Sequence, residues 1–501
     1  MTLNPKWIPM HWPCGPLPAA RLAAKQAQSP DLKETLAAWA DPKSLDMIQG
    51  SPVNCLVVSW AEGSATDKEH QQSLEPLLRA GRERGISFVG TIAGKQEVGA
   101  GIASGIQAGL TALMVETLEG LPKDAPVILR TPRAGVPWET VTPIFSLTDN
   151  LWPRLGLDTV KNGDDANAGP TGVPWVNSNG WLSQLAGQLS QGKSLWLEYD
   201  PPESSDLDHP AGYALAVTDS QAYGSRWVIS LDPHLRLGMI QKDPRATKVW
   251  DTIGSALKFF QSKEDWTRLR TEGVLAVVSD FRGDNEFMAT EVLNLLARRL
   301  LQYKILEKSK ITSASFRGLK GVLWVDSSEP DAAVKSRFRA FVEQGGLLIT
   351  PKLWWPLRAS PAPGGLLEHY RVYRVGRGSH AVPVQEMTDP YEISVDTHML
   401  LSRRNDLVRV FNVTGCNTLL TNDAASGRRL VQVLNYASAG PPNLASVWVR
   451  NGSLSAKLWT LGATEPVTLQ GVAARAGREY QLPSISTYAA LEFEVRGVEG
   501  L

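Results

Sequence analysis

Two glutamates are the best-placed reactive groups in the sequence. Glu116 ends the apolar run ALMVE (112–116) and Glu198 ends SLWLE (194–198), so each carboxylate would stand at the end of a stiff, buried strand. Two carboxylates held at a fixed separation can share acid and nucleophile work on an acetal, one kept protonated and the other ionised. His11, Trp12, Trp60, Asp149, Asn150, Trp152, Asp200 and Asp232 stand at the ends of further apolar runs. Trp175, Asn179 and Trp181 fall in GPTGVPWVNSNGW (169–181), a stretch long enough to fold over a rim as a lid or wall. Indoles stack on the apolar faces of pyranose rings, and Asn and Asp hold hydroxyls, so this group reads as a carbohydrate-binding rim. Glu119, Asp149, Asp200 and Asp232 are the alternate acids if the strand register slips.

The elements that must hold these residues lie in the first 265 positions. Apolar runs at 6–11, 54–60, 86–92, 112–116, 127–131, 144–148, 194–199 and 226–231 alternate with helix-patterned or loop segments. Eight parallel strands are what a (β/α)8 barrel requires, and its reactive groups gather at the carboxyl ends of the strands. About a dozen residues, rich in Gly and Pro, separate the fourth run from the fifth and the fifth from the sixth. One or two helices must therefore be short or absent, so a degenerate TIM-like barrel is expected, with an open α/β sheet as the alternative.

Composition narrows the chemistry further. The chain has 51 basic and 51 acidic residues, so it lacks the positive footprint of a nucleic-acid binder. No window of about 18 uncharged apolar residues occurs, and no membrane association is expected. The first residues lack a basic region followed by an apolar one, which fits a cytoplasmic protein or an exported one whose leader has been removed. Cys14, Cys55 and Cys416 show no metal-type spacing and read as buried thiols; the seven His include no HExxH pair, so no metal is expected. GAGIASG (99–105) does not directly follow a strand, so no nucleotide cofactor is expected either. Tryptophan is in excess, 17 residues against 11 Phe and 10 Tyr, and supports sugar binding more strongly than sugar cleavage.

Beyond residue 265 the pattern changes twice. Residues 266–375 contain GVLAVVSDFRGDNEF, EVLNLLARRLLQYKIL and GVLWVDSSEPDAAVKSRFRAFVEQGGLLITP, the strands and helices of a small doubly wound α/β domain. Residues 376–501 contain LVRVFNV, RRLVQVLNYA, LASVWVR and AALEFEV, which alternate in period two as in an antiparallel β-sandwich. The middle segment resembles the trimerisation domain of the family 42 glycoside hydrolases of the beta-galactosidase type, a relative of class I glutamine amidotransferases. No Cys lies in the turn after GVLWV, so amidotransferase chemistry is not expected and the domain would pack and assemble, giving a homo-oligomer. The resemblance also implies an acid/base Glu at the end of the fourth barrel strand and a nucleophilic Glu at the end of the seventh, the positions of Glu116 and Glu198. Glu116 departs from the family in following Val115 rather than Asn. The reading is a glycoside hydrolase, with a catalytically inactive carbohydrate-binding or assembly barrel as the alternative.

Overall fold

Each of the eight apolar runs becomes a strand of one parallel sheet in the computed structural model. They are β1 (Pro9–His11), β2 (Cys55–Ala61), β3 (Ser87–Ile92), β4 (Ala112–Val115), β5 (Val127–Thr131), β6 (Ile144–Leu147), β7 (Ser194–Glu198) and β8 (Arg226–Val228), paired in chain order. Past the end of β8, the His11 N–H donates to the Ile229 carbonyl at 2.8 Å and the Ile229 N–H to the Pro9 carbonyl at 3.0 Å. This parallel bridge closes the barrel against β1. Closure satisfies both edges that an open sheet would leave bare.

The structure describes residues 3–14, 30–93, 98–121, 124–138, 144–156, 159–162, 165–168, 175–190, 192–202, 210–356, 369–413, 415–423, 425–437, 445–483 and 485–494. The chain forms two units, Met1–Pro153 with Ser190–Lys263, and Arg154–Leu189 with Glu264–Leu501.

In the barrel unit the helices are α1 (Pro30–Ala40), α2 (Asp67–Glu83), α3 (Val98–Ala108), α4 (Pro210–Gln221), α5 (Pro233–Gln241) and α6 (Pro244–Ser262). Helix α2 buries Leu74, Leu77, Leu78 and Gly81 along one stripe, as helical periodicity demands. At Gly81 a Cβ would meet the Phe88 ring at 2.3 Å, so glycine is needed for the helix to lie against β3. Among the described residues no α-helix joins β4 to β5, and a single 3-10 turn (Arg133–Gly135) stands between β5 and β6. Pro and Gly in both connections remove amide donors and add backbone freedom, which disfavours a helix there.

Strand alternation explains how the barrel positions a site. Met114, Ile128, Ile144 and Trp196 belong to one buried apolar cluster. Two residues further along each strand, on the same face, come Glu116, Arg130, Ser146 and Glu198. A polar layer therefore stands directly above an apolar one at the carboxyl ends of β4 to β7.

The second unit contains a sheet in the order β10-β9-β11-β12-β14-β13, formed by β9 (Leu275–Ser279), β10 (Tyr303–Glu307), β11 (Gly321–Trp324), β12 (Leu347–Ile349), β13 (Tyr370–Val375) and β14 (Gly378–Pro383). All pairs are parallel except the β13–β14 hairpin. Its helices include α7 (Glu286–Arg298), α8 (Ala332–Glu343) and α9 (Pro390–Leu401). Residues 154–189 belong here as well: Arg154–Gly156 pairs with Trp175–Asn177, and the helix Gly180–Leu189 packs on α7 and β10. Six strands from Arg270–Thr271 to Val467–Gln470 and four from Val408–Phe411 to Val472–Ala474 form two antiparallel sheets, bridged by the Tyr480 and Phe493 rings at 5.4 Å. No helix among the described residues is long and apolar enough to cross a membrane.

Candidate active site

Glu198 is held by three donors from three other strands. Its Oε1 accepts from Arg130 Nε of β5 at 2.8 Å and from the Ser146 hydroxyl of β6 at 2.9 Å, and its Oε2 meets His11 Nε2 of β1 at 2.9 Å. The carboxylate is 8% exposed, whereas His11 is 29% and Arg130 38% exposed. Burial alone would raise the Glu198 pKa. The hydrogen bond and charge of His11, the Arg130 charge and the Ser146 hydroxyl outweigh it and bring the pKa down to about 2. Asn150 fixes the backbone of the same residue: with its amide oriented to satisfy both ends, its nitrogen donates to the Glu198 carbonyl and its oxygen accepts the Glu198 N–H, each at 2.7 Å.

Glu116 lies across the same guanidinium. Arg130 Nη1 is 3.7 Å from Glu116 Oε1, and Glu116 is 62% exposed. Arginine's rigid planar fork then puts the two glutamate oxygens no more than about 9 Å apart. That ceiling admits the carboxylate separations of both retaining and inverting glycosidases.

The other expected rim residues are distributed more widely. Trp12 is buried, donates its indole N–H to the Trp39 carbonyl at 2.9 Å and packs edge-on against that ring. Trp60 is buried and donates to the Ser104 hydroxyl at 3.3 Å. Trp152 packs against Tyr213 and Trp227 with centroids 5.3 and 5.8 Å away. Trp196 and Trp227 are fully buried, as their mid-strand positions suggest.

Asp232 is the N-cap of α5, accepting from the His234 and Leu235 amides and from the Tyr213 hydroxyl at 2.8 Å. Asp200 accepts from the Ser230 hydroxyl at 3.1 Å, and Asp149 from the Arg133 amide at 3.0 Å. Buried Asn179 and half-buried Trp181 belong to the second unit, as does the backbone of Trp175, whose side chain lies outside the described set.

Sequence reasoning missed Ser146 as a contributor. Ser146 carries a recoverable signal, since it occupies the same strand face as Ile144 one step nearer the rim. Tyr199, next to Glu198, is the exposed large hydrophobic side chain of the barrel unit among the described residues, at 42%. No cluster of His, Cys, Asp and Glu suited to a metal ion occurs among the described residues.

No protein-family model matches the chain, and no curated protein matches it either. Solved structures do. Alpha-L-fucosidase isoenzyme 2 from Paenibacillus thiaminolyticus is similar over 91% of this chain and 96% of its own, with a TM-score of 0.56 and 11% identity. Beta-galactosidase from Bacillus circulans sp. alkalophilus aligns over 85% of this chain and 68% of its own, with a TM-score of 0.44 and 11% identity. A GH42 beta-galactosidase of G. stearothermophilus aligns over 85% and 67%, with a TM-score of 0.42 and 10% identity. The fucosidase likeness establishes a shared fold, and family 42 enzymes are among the similar structures.

Proposed function

We propose that the protein is a glycoside hydrolase. In this reading Glu198 is the nucleophile that meets the anomeric carbon, and Glu116 is the acid/base that protonates the leaving oxygen. The observation that carries the reading is a buried carboxylate held ionised by His11, Arg130 and Ser146, with a second carboxylate across the same arginine. An ionised nucleophile and an exposed proton carrier are the two parts acetal cleavage needs. The sugar-hydrolase names of the structurally similar proteins agree with this reading.

A panel of aryl glycosides assayed with native protein, Glu198→Gln and Glu116→Gln is the test. Glu198→Gln is expected to lower kcat on the order of 10^3-fold or more on every substrate that is turned over. Glu116→Gln should match it with poor leaving groups and do far less harm to kcat/KM with dinitrophenyl leaving groups, whose departure needs no proton. Native activity in both variants would overturn the assignment.

The filling of three of the about four lone-pair directions of Glu198 by protein donors favours the second reading, a barrel that binds carbohydrate without cleaving it. Saturable sugar binding with no turnover across the panel would support that alternative. We also propose assembly into a homo-oligomer through the middle region, where α7 and α9 pack together and leave Phe287, Tyr391 and Met399 exposed. Light scattering on the whole chain tests it.

A further inference from the structure

The geometry points to Oε2 as the reacting oxygen of Glu198 and to His11 as the catalytic residue that holds it, an inference that rests on the glycosidase reading above. Each carboxylate oxygen offers about two in-plane lone-pair directions. Both are taken at Oε1, by Arg130 Nε at 2.8 Å and the Ser146 hydroxyl at 2.9 Å. Oε2 meets the single donor His11 Nε2 at 2.9 Å, which leaves one direction for an incoming carbon.

Ser146 is fully buried behind Oε1. An ionised carboxylate accepts and cannot donate, so the proton of this bond sits on Nε2 of His11. The charged groups facing this contact are Glu198 itself, Arg130 on its other oxygen and Glu116 beyond Arg130.

The step balances without a further reagent. A lone pair of Oε2 bonds to the anomeric carbon while the bond from that carbon to the leaving oxygen breaks. The electrons of the broken bond go to the leaving oxygen, which takes the proton of the Glu116 carboxyl. In the second half a water oxygen attacks the same carbon, the water proton passes to Glu116, and the electrons of the ester bond return to Oε2. His11 keeps its proton throughout. Its hydrogen bond is weakest to the ester oxygen and strongest to the carboxylate, so it chiefly favours release of Glu198 in the second half.

The test uses His11→Asn, which withdraws the donor from Oε2, and His11→Gln, whose terminal amide can reach the position of Nε2. With a dinitrophenyl glycoside from the panel, His11→Asn should lower kcat about tenfold or more and lower KM with it, because the glycosyl-enzyme accumulates. Mass spectrometry of a peptic digest after acid quench should then show one added glycosyl residue on the peptide containing Glu198. His11→Gln should return kcat to within about threefold of native.

A His11→Asn protein that keeps native kcat and KM, or loses kcat with KM unchanged and no adduct, would overturn the role of His11. The 2,4-dinitrophenyl 2-deoxy-2-fluoro glycoside of the same sugar separates the two levels. If it labels Glu198 of the native protein while His11→Asn behaves as native, the role of His11 alone fails. If native protein turns over the panel and is never labelled on Glu198, the nucleophile assignment fails and the inference with it.

Discussion

Glu198 in the barrel and Asp326 in the doubly wound sheet are built from the same parts. Asp326 follows β11, accepts from the Ser279 hydroxyl at 2.5 Å and from Lys308 at 2.7 Å, and Lys308 reaches across to Asp280 at 2.5 Å. One cation between a buried and a less buried carboxylate, with a serine behind, describes both places. They differ in what surrounds them. Asp326 is completely enclosed, and Asp280 is tied down by Asn285 and the Arg282 amide, whereas Glu116 is open. The donors to Asp326 come from the ends of adjacent strands of an open sheet, while those to Glu198 come from β1, β5 and β6 around a closed ring. A shared cation is therefore no mark of a site in itself. What separates the two is convergence around a barrel axis beside an open second carboxylate, since Lys308 is as exposed as His11.

The strongest way to break this contrast is to neutralise each acid in turn. Glu198→Gln should abolish hydrolysis in a protein that still folds, even with up to about 3 kcal/mol of stability lost. Asp326→Asn should leave kcat within about threefold of native while lowering unfolding free energy by about 2–3 kcal/mol in urea, because Lys308 loses a buried partner. A loss of kcat in Asp326→Asn as large as in Glu198→Gln would erase the distinction.

Acid sharpens it next. Folding depresses the Glu198 pKa from 4.5 to about 2, a stabilisation of about 3 kcal/mol that is complete above the unfolded value and fades as pH falls toward the folded one. Denaturation curves between pH 5 and pH 2 should show this loss in native protein and not in Glu198→Gln.

The smallest effect concerns the tryptophans. Trp12→Phe should cost about 1 kcal/mol of stability through the lost bond to the Trp39 carbonyl and leave KM unchanged. A clear rise in KM would return Trp12 to the rim as a sugar contact.

Most of the scaffold was legible because its strands are continuous apolar runs bounded by turn residues, a signal that needs no partner to be read. The positions of Glu116 and Glu198 follow from the same runs. Their environments were legible only in part, since Ser146 and His11 reach Glu198 from 52 and 187 residues away. Whether Trp12 fills a core depends on the Trp39 carbonyl, 27 residues distant. The strand Tyr303–Glu307 was hidden in a helix-patterned stretch. Helix α7 ends at Arg298, and Leu300 turns the chain with φ of +58° before the strand begins.

The polypeptide passes between the two units three times, at 153–154, 189–190 and 263–264. A protease that cuts at the last of these would not free the halves, because residues 154–189 would still belong to one and be spliced into the other. Helix Gly180–Leu189 buries Leu182, Leu185 and Leu189 in the second unit, yet both its flanks lead back to β6 and β7, the strands that carry Ser146 and Glu198. A gene split at residue 264 would leave residues 154–189 of the second unit on the product that carries the barrel, so each product would be incomplete.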